Sequence, residues 1–202
     1  MIRVDEEGGT LTLTIDRPDK ANALTEAMLF ELAEHVAATK ARVLVLTGTG
    51  KVFSAGADLV DVKEGTLATS PAWEQLSSAI AGFSGLSVAA LNGSCAGGAM
   101  GMMLACDLRL AVPAAKFFYP VIHIGVLPQP SDPARLAALV GPATAKRILL
   151  TGTKLTAAEA LSVGLVDQIA TGELMDETAA LIAPALAAPP EQVAAIKGLI
   201  AG

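Results

Sequence analysis

Aromatic residues are scarce in this chain, which contains one tryptophan, one tyrosine and five phenylalanines among 202 residues. It also lacks any dense run of Lys or Arg, and its formal net charge is −6. Proteins that bind nucleic acids need basic surfaces, and those that bind single strands also use aromatic platforms. The composition therefore argues against nucleic acid and against anionic membrane surfaces as partners.

Cysteine and histidine are equally rare, with two residues of each type. Cys95 and Cys106 show no CxxC or Cys/His ligand spacing, so we expect no metal site and a reduced, cytoplasmic protein. The charged N-terminal segment has no apolar region typical of a secretory signal, which supports the same localisation. Cys95 has no evident basic partner in the sequence and is expected to be unreactive.

Charged residues are absent from Gln75 to Cys106, a length that could cross a bilayer. Glycines, serines and the turn-like LNGS at 91–94 divide this stretch into shorter pieces. It therefore predicts a buried helix, strand and helix, with no membrane span.

Strand and helix patterns alternate along nearly the whole chain, which predicts an α/β domain with crossover connections. TLTLTI at 10–15 alternates in polarity and predicts a half-buried strand, while VLVLT at 43–47 is continuously apolar and predicts a strand buried on both faces. Thr25 is a plausible cap for the helix between them.

The last third is mostly helical in pattern. Asp132 and Pro133 predict an N-cap and the first residue of a helix. Thr156 and Glu159 have capping-box spacing. The two Ala-rich helices that finish the chain carry more apolar residues than a short helix pair can bury, so we expect them to dock on a neighbouring subunit.

Two glycine-containing segments carry the chemistry: FSAGADL at 53–59 and NGSCAGGAMGMMLACDLRLA at 92–111. Glycine lets the backbone approach a ligand closely, and a helix that opens near Gly97 points free N–H groups at that ligand. Neither segment matches the GxGxxG dinucleotide fingerprint with its ribose-binding acid, and no GK[ST] phosphate loop occurs.

Four blocks in order resemble the enoyl-CoA hydratase/isomerase (crotonase) family over nearly the whole chain. They are IDRPDKANAL (15–24), VLTGTGKVFSAGADL (45–59), NGSCAGGAMGMMLACDLRLA (92–111) and RLAALVGPATAKRILLTGTKLTAAEALSVGLVDQI (135–169). The resemblance implies a spiral of ββα units over residues 1–170 and a shortened helical oligomerisation segment over 171–202. It also implies a homotrimer, with a hexamer possible, and a longer chain in typical members, whose additional helical part helps to close the acyl pocket.

The resemblance further implies that an acyl-CoA thioester is the ligand and that no separate cofactor is used. The backbone N–H groups of Ala57 and Gly98 would form the oxyanion hole for the thioester oxygen, where one donor is typically worth roughly 10² to 10³ in rate. Main-chain contacts to CoA map to five positions: Ala23, Leu24, Ala55, Asp58 and Leu59.

Both catalytic glutamates of a family hydratase are missing. Their positions hold Gly101 and Val121, and a third position that is acidic in other branches holds Gln129. General acid–base groups contribute about 10² to 10⁴ each, so ordinary alkene hydration is disfavoured.

Other side chains are candidates for a relocated acid–base group. His123 lies two positions beyond Val121 and titrates in the useful range, although a neutral, partly buried histidine is the alternative. Asp132 is close in sequence, but its position before Pro133 is explained by helix capping. Tyr119 either bonds a ligand or fills the core, and Met100, Met102 and Met103 either line an acyl pocket or pack in the core.

Two functions stay open. The first is an acyl-CoA binder, carrier or regulator that keeps the oxyanion hole without ordinary turnover. The second is an enzyme (isomerase, hydratase or hydrolase) that acts on a CoA thioester with a non-standard base such as His123. A structural subunit without a ligand is disfavoured because both glycine segments are present.

Overall fold

The computed structural model of the protein describes residues 1–58 and 67–201. Its strands are β1 (Ile2–Glu7), β2 (Thr10–Ile15), β3 (Val43–Gly48), β4 (Val52–Ser54), β5 (Leu86–Leu91), β6 (Ser94–Ala96), β7 (Leu108–Ala111), β8 (Lys116–Phe118), β9 (Leu155–Thr156) and β10 (Gln168–Ile169). Its helices are α1 (Glu26–Ala38), α2 (Ala72–Ala81), α3 (Ala99–Ala105), α4 (Val121–Ile124), α5 (Asp132–Thr151), α6 (Ala157–Ser162), α7 (Leu174–Ala187) and α8 (Pro190–Ala201).

The strands form two sheets. The larger sheet has the order β1-β2-β3-β5-β7-β10 and is parallel except for the β1–β2 hairpin, while the smaller has the order β4-β6-β8-β9. Along the chain, a long strand of the first sheet is followed by a short strand of the second and then by a helix, as in β5-β6-α3 and β7-β8-α4. This repeat confirms the predicted α/β spiral of ββα units.

The core follows the predicted polarity of the strands. In β2, Leu11, Leu13 and Ile15 are buried while the threonines between them are half-buried, and Val43–Thr47 of β3 is buried throughout. The main core lies between the two sheets and helices α1 to α3. Helix α7 covers the other face of the large sheet, where Leu174 and Ile182 pack on its valines.

Two of the three predicted helix starts are confirmed. The Thr25 hydroxyl accepts from Met28 N at the start of α1, and Thr156 and Glu159 form a capping box at the start of α6. The third prediction is wrong, because Ser131 is the N-cap of α5 and Asp132 is its first residue, with no capping bond from its side chain. The Asp132 side chain turns into the protein instead.

The uncharged stretch 75–106 forms α2, β5, β6 and α3 inside the domain, as predicted. Among the described residues no single helix combines the length and apolar character of a membrane span. Within the described chain, α7 and α8 combine the two properties only as a pair, and they are bent by 101° to each other.

Candidate functional site

The first glycine segment is held in an extended conformation beside Leu24. Leu24 N donates to Gly56 O at 2.8 Å, and Asp58 N donates to Leu24 O at 2.9 Å, which makes a parallel bridge between Leu24 and Ala57. Peptide groups alternate in direction along an extended chain, so the N–H of Ala57 points to the side opposite Leu24. Within the described part of the chain, no hydrogen-bond acceptor takes this N–H.

The second glycine segment leads from β6 into α3. Gly97 has a φ of +57°, a left-handed conformation that glycine adopts without strain, and its N–H donates to Phe118 O at 3.1 Å. Gly98 is the N-cap of α3, so its N–H lies at the positive end of the helix and outside the helical bonding pattern. It too donates to no acceptor among the described residues.

The two segments touch each other at Gly56. A Cβ at this position would lie 2.7 Å from Ala96 O and 3.2 Å from Gly98 N, and its φ is +90°. No other residue type fits without moving one backbone segment away from the other. Gly56 therefore lets the two segments lie side by side, and Ala57 and Gly98 border one space.

That space is a cavity of about 310 Å³. Ala55 and Ala57 line one side and Gly97 and Gly98 another, while apolar side chains complete most of the wall: Trp73, Phe118, Val121, Ile124, Val126 and Leu127. Two larger grooves, of about 550 and 660 Å³, lie along α8, but neither Ala55 and Ala57 nor Gly97 and Gly98 line them. The small cavity is therefore the candidate site.

Trp73 lies directly against the second glycine segment. A Cβ at Gly98 would lie 2.9 to 3.0 Å from the indole ring, and the indole Nε1 donates to Leu67 O at 2.8 Å. Gly98 thus allows the ring to pack on its backbone. Because Trp73 is the only tryptophan in the chain, its fluorescence reports on this cavity.

The residues predicted to contact CoA lie around the first segment, with different exposures. Ala55 is exposed and lines the cavity. Leu24 is fully buried, and Ala23 O accepts from the Arg17 guanidinium at 2.8 Å. Asp58 is buried and pairs with Arg17 at 3.0 Å. Leu59 lies outside the described residues. Of the four members that the structure describes, Ala55 is the accessible one, and the CoA contacts stay predictions.

The two positions without glutamates differ in environment. Val121 is buried and lines the cavity, and Gln129 lines it as well, with its side-chain amide donating to Ala68 O at 3.1 Å. Gly101 lies inside α3, and a Cβ there would be 2.8 Å from Oδ1 and 2.9 Å from Oδ2 of Asp132. Helix α3 thus has no acid at position 101, but the carboxyl group of Asp132 on α5 lies against that position.

Asp132 is a buried carboxyl group with an exposed fraction of 1%. Tyr119 donates its hydroxyl proton to Oδ2 at 2.7 Å, whereas Oδ1 has no hydrogen-bond partner among the described residues. Burial raises the pKa of Asp132 to about 6, against the smaller lowering effects of the Tyr119 hydrogen bond and of the Arg135 charge. Burial, together with the Asp132 charge and hydrogen bond, also raises the pKa of Tyr119 far above its usual value, so its phenol stays neutral.

The start of α5 is fixed by contacts with α2. Both the N–H and the hydroxyl of Ser131 donate to the Glu74 carboxylate, and Arg135 donates to Ser77 Oγ at 2.9 Å. Burial acts to raise the pKa of Glu74, but these Ser131 bonds and one from Ser78 outweigh it and lower the pKa. Glu74 therefore stays ionised and anchors the turn from which Asp132 projects.

The structure does not bring His123 into the cavity. Residues 121–124 form the helical turn α4, in which residues two positions apart point in different directions, so His123 and Val121 do not share a face. His123 is exposed, and its ring lies over Gly152, where a Cβ would be 2.2 Å from Nε2. Among the described residues, Asp132 and Tyr119 are the titratable pair at the site.

The remaining sequence candidates are structural in this geometry. Cys95 and Cys106 are buried free thiols, and burial raises the pKa of both, that of Cys106 to about 12, so neither forms a thiolate readily. Met100, Met102 and Met103 are buried in the core and do not line the cavity. The described residues contain no group of three His, Cys, Asp or Glu side chains placed to hold a metal.

Comparison with known proteins finds relatives in both sequence and structure. A family model described as enoyl-CoA hydratase/isomerase matches residues 5–201. The chain is 33% identical over 190 residues to the 2,3-dehydroadipyl-CoA hydratase of Escherichia coli K12, covering 91% of this chain and 74% of that protein. It is 32% identical to a carnitinyl-CoA dehydratase of Salmonella arizonae, covering 97% and 78%.

A solved structure gives the same result. The crystal structure of an enoyl-CoA hydratase subunit I from Geobacillus kaustophilus HTA426 superposes with a TM-score of 0.89 and 33% identity, covering 98% of this chain and 80% of that one. The sequence comparison and the structural comparison therefore point to the same family. The chain belongs to the enoyl-CoA hydratase/isomerase family.

Proposed function

We propose that this protein binds acyl-CoA thioesters in the cavity beside Gly98, with the thioester oxygen accepting hydrogen bonds from the N–H groups of Ala57 and Gly98. One observation supports the proposal: the two backbone segments meet at Gly56, Ala57 and Gly98 both line one apolar cavity, and neither N–H group has an acceptor among the described residues. Two fixed donors stabilise the partial negative charge that a polarised thioester oxygen develops. The apolar wall, which includes Ile124 and Leu127, suits an acyl chain.

Hydration through two glutamates is not part of this proposal. Gly101 and Val121 carry no proton-transfer group, and the side-chain amide of Gln129 is engaged by Ala68. The cavity therefore supports binding and polarisation of a thioester, as expected of a carrier or regulator. Conversion of the ligand requires an acid–base group from a different position in the fold.

Butyryl-CoA is a suitable probe because it is saturated and cannot be hydrated. Its binding is measured by Trp73 fluorescence and by calorimetry. Gly56→Ala places a Cβ 2.7 Å from Ala96 O and forces the two segments apart, so we expect the Kd to rise at least about tenfold, equivalent to 1.4 kcal/mol.

Gly8→Ala is the matched control for this variant. Gly8 also has a positive φ, of +57°, but nothing lies within 4 Å of a Cβ there, so the same type of backbone strain arises away from the cavity. Its Kd should equal that of the wild type. Absence of butyryl-CoA binding, or equal binding by the Gly56→Ala variant, would contradict the proposal.

Self-association of the chain is a further part of the predicted function. Leu127 beside the cavity is 85% exposed, and Leu199 and Ile200 on α8 are 84% and 81% exposed. Large apolar side chains exposed to this degree are often found at interaction surfaces. We propose the homotrimer, and light scattering coupled to size exclusion tests it, since a monomer would contradict it.

A further inference from the structure

Asp132 is an unusual group for a protein interior. It forms no ion pair within the described chain, its Oδ1 lacks a partner, and its exposed fraction is 1%. A buried carboxylate without compensation costs several kcal/mol, so packing alone does not account for an acid at this position. A neutral asparagine would hold the same Tyr119 hydroxyl without that cost.

The position of Asp132 is specific as well. Its two oxygens lie 2.8 and 2.9 Å from the position that a Cβ at Gly101 would take, so the carboxyl group fills the space next to α3 from the opposing helix α5. An acid at 101 and the acid at 132 exclude each other sterically. The absence of a glutamate at position 101 of α3 therefore leaves room for the buried carboxyl group of Asp132 on α5.

Tyr119 connects this carboxyl group to the cavity. It lines the cavity together with Gly98 and Val121, and its hydroxyl donates its single proton to Asp132. The phenol oxygen also accepts a long bond from Gln129 N at 3.4 Å, which leaves it a free lone pair.

We propose that Tyr119 and Asp132 form a proton-transfer pair that replaces the missing glutamate of α3, with Tyr119 as the catalytic residue and Asp132 as the positioning residue that accepts the proton. The inference rests on the proposed function, since it requires an acyl-CoA in the cavity. The pair gives the cavity an acid–base group that does not depend on positions 101, 121 or 123.

The step is a reversible enolisation of the bound thioester. The Cα–H bond of the acyl group breaks as the proton moves to the Tyr119 oxygen, and the Tyr119 hydroxyl proton moves to the Asp132 carboxylate. The electron pair of that C–H bond forms the Cα=C bond, and the negative charge moves to the thioester oxygen between the amides of Ala57 and Gly98. The reverse transfer returns a proton to Cα.

The local charges suit this direction of transfer. Tyr119 itself does not hold a negative charge, because burial and Asp132 raise its pKa, so the proton must pass through to Asp132. Asp132 faces Tyr119, Arg135 on its own helix, Glu74 on α2 and the buried thiol of Cys95, and its pKa of about 6 lies near neutral pH, where a general base is most effective.

Deuterium exchange measures the step without any assumption about the overall reaction. Butyryl-CoA is incubated with the protein in D₂O, and deuterium at Cα is followed by mass spectrometry. Asp132→Asn keeps the side-chain size and a carbonyl for Tyr119 but cannot take up the proton, and Tyr119→Phe removes the hydroxyl. We expect both to bind butyryl-CoA and to lose exchange by about 10² to 10⁴.

Glu159→Gln is the matched control, since it makes the same acid-to-amide change at the start of helix α6, away from the cavity. It should exchange at the wild-type rate. The wild-type rate should rise with pH through an apparent pKa near 6, because Asp132 must be ionised to accept the proton.

A second measurement uses no variant. Tyr119 is the only tyrosine in the chain, so ¹³Cζ-labelled tyrosine gives one NMR signal, and this signal should shift with a midpoint near pH 6 as Asp132 ionises.

Three outcomes overturn the inference. They are exchange by Asp132→Asn at the wild-type rate, a tyrosine signal that is flat between pH 4.5 and 8, and wild-type protein that binds butyryl-CoA without exchanging it. Each of these outcomes leaves the proposed binding of acyl-CoA intact. If butyryl-CoA does not bind, both the proposed function and the proton-transfer pair are wrong.

Discussion

Asp132 should make the folded protein less stable as the pH rises, and Asp132→Asn should remove this dependence. The pKa of Asp132 is about 6 in the fold and 3.8 for an ordinary aspartate, a difference of about two units. At 1.36 kcal/mol per unit, the ionised carboxylate costs the folded state about 3 kcal/mol at neutral pH. Well below pH 3.8 the group is protonated in both states and costs nothing.

The sign of the effect is opposite to that of most carboxylates. Because the folded state holds the Asp132 proton more tightly, stability is lost as the pH rises from about 4 to about 6. Glu74 and Glu177, whose pKa values are lowered, contribute stability that is lost as the pH falls. These contributions are common to the wild type and the variant, so they cancel when the two are compared.

Urea unfolding followed by Trp73 fluorescence gives the free energy of unfolding for both proteins. From pH 4.5 to 7.5 the wild type should lose about 2 kcal/mol relative to Asp132→Asn, which is the part of the 3 kcal/mol that titrates in this interval. Glu159→Gln serves as the surface control and should keep the wild-type slope across that pH interval. Parallel pH profiles for wild type and Asp132→Asn would refute the reasoning that Asp132 is buried and unpaired.

Two further variants test other contacts. Gly101→Ala brings a Cβ to 2.8 Å from Asp132 Oδ1, so it should lower the free energy of unfolding in urea by about 1 to 3 kcal/mol. In the background of Asp132→Ala the same substitution should cost at most half as much, and strictly additive effects of the two substitutions would contradict the contact. Lys197→Met removes three hydrogen bonds that Nζ donates to Phe83 O, Gly85 O and Asp107 Oδ2, so it should lower the free energy of unfolding by about 1 to 3 kcal/mol. The Kd for butyryl-CoA should stay the same, and a higher Kd would show that α8 reaches the cavity.

Most of the fold could be predicted from the sequence because local patterns and tertiary packing agree in it. The alternation of TLTLTI placed Leu11 and Leu13 in the core, and the spacing of Thr156 and Glu159 identified a capping box that the structure contains. Where a pattern had two structural explanations, the prediction failed. Asp132 before Pro133 has the sequence of a helix start, but Ser131 caps α5 and the carboxyl group turns inward.

The candidate site was predictable only as far as its backbone. Glycines that need a positive φ or a close approach are visible in the sequence, and they marked both segments that meet at Gly56. Trp73 was missed because nothing in its spacing shows that α2 packs on Gly98. The pair of Tyr119 and Asp132 joins the end of β8 to the start of α5, and a contact of this kind depends on the three-dimensional path of the chain.

The relation between Gly101 and Asp132 shows why a missing residue in a motif does not by itself remove a chemical function. Helices α3 and α5 both border the volume beside the cavity, so a carboxyl group can enter it from either one, and steric exclusion allows only one of them. A sequence motif is read position by position, and at position 101 it shows only a glycine. In the folded chain the volume beside Gly101 is occupied by the carboxyl group of Asp132, whose hydrogen-bond partner, Tyr119, lines the cavity.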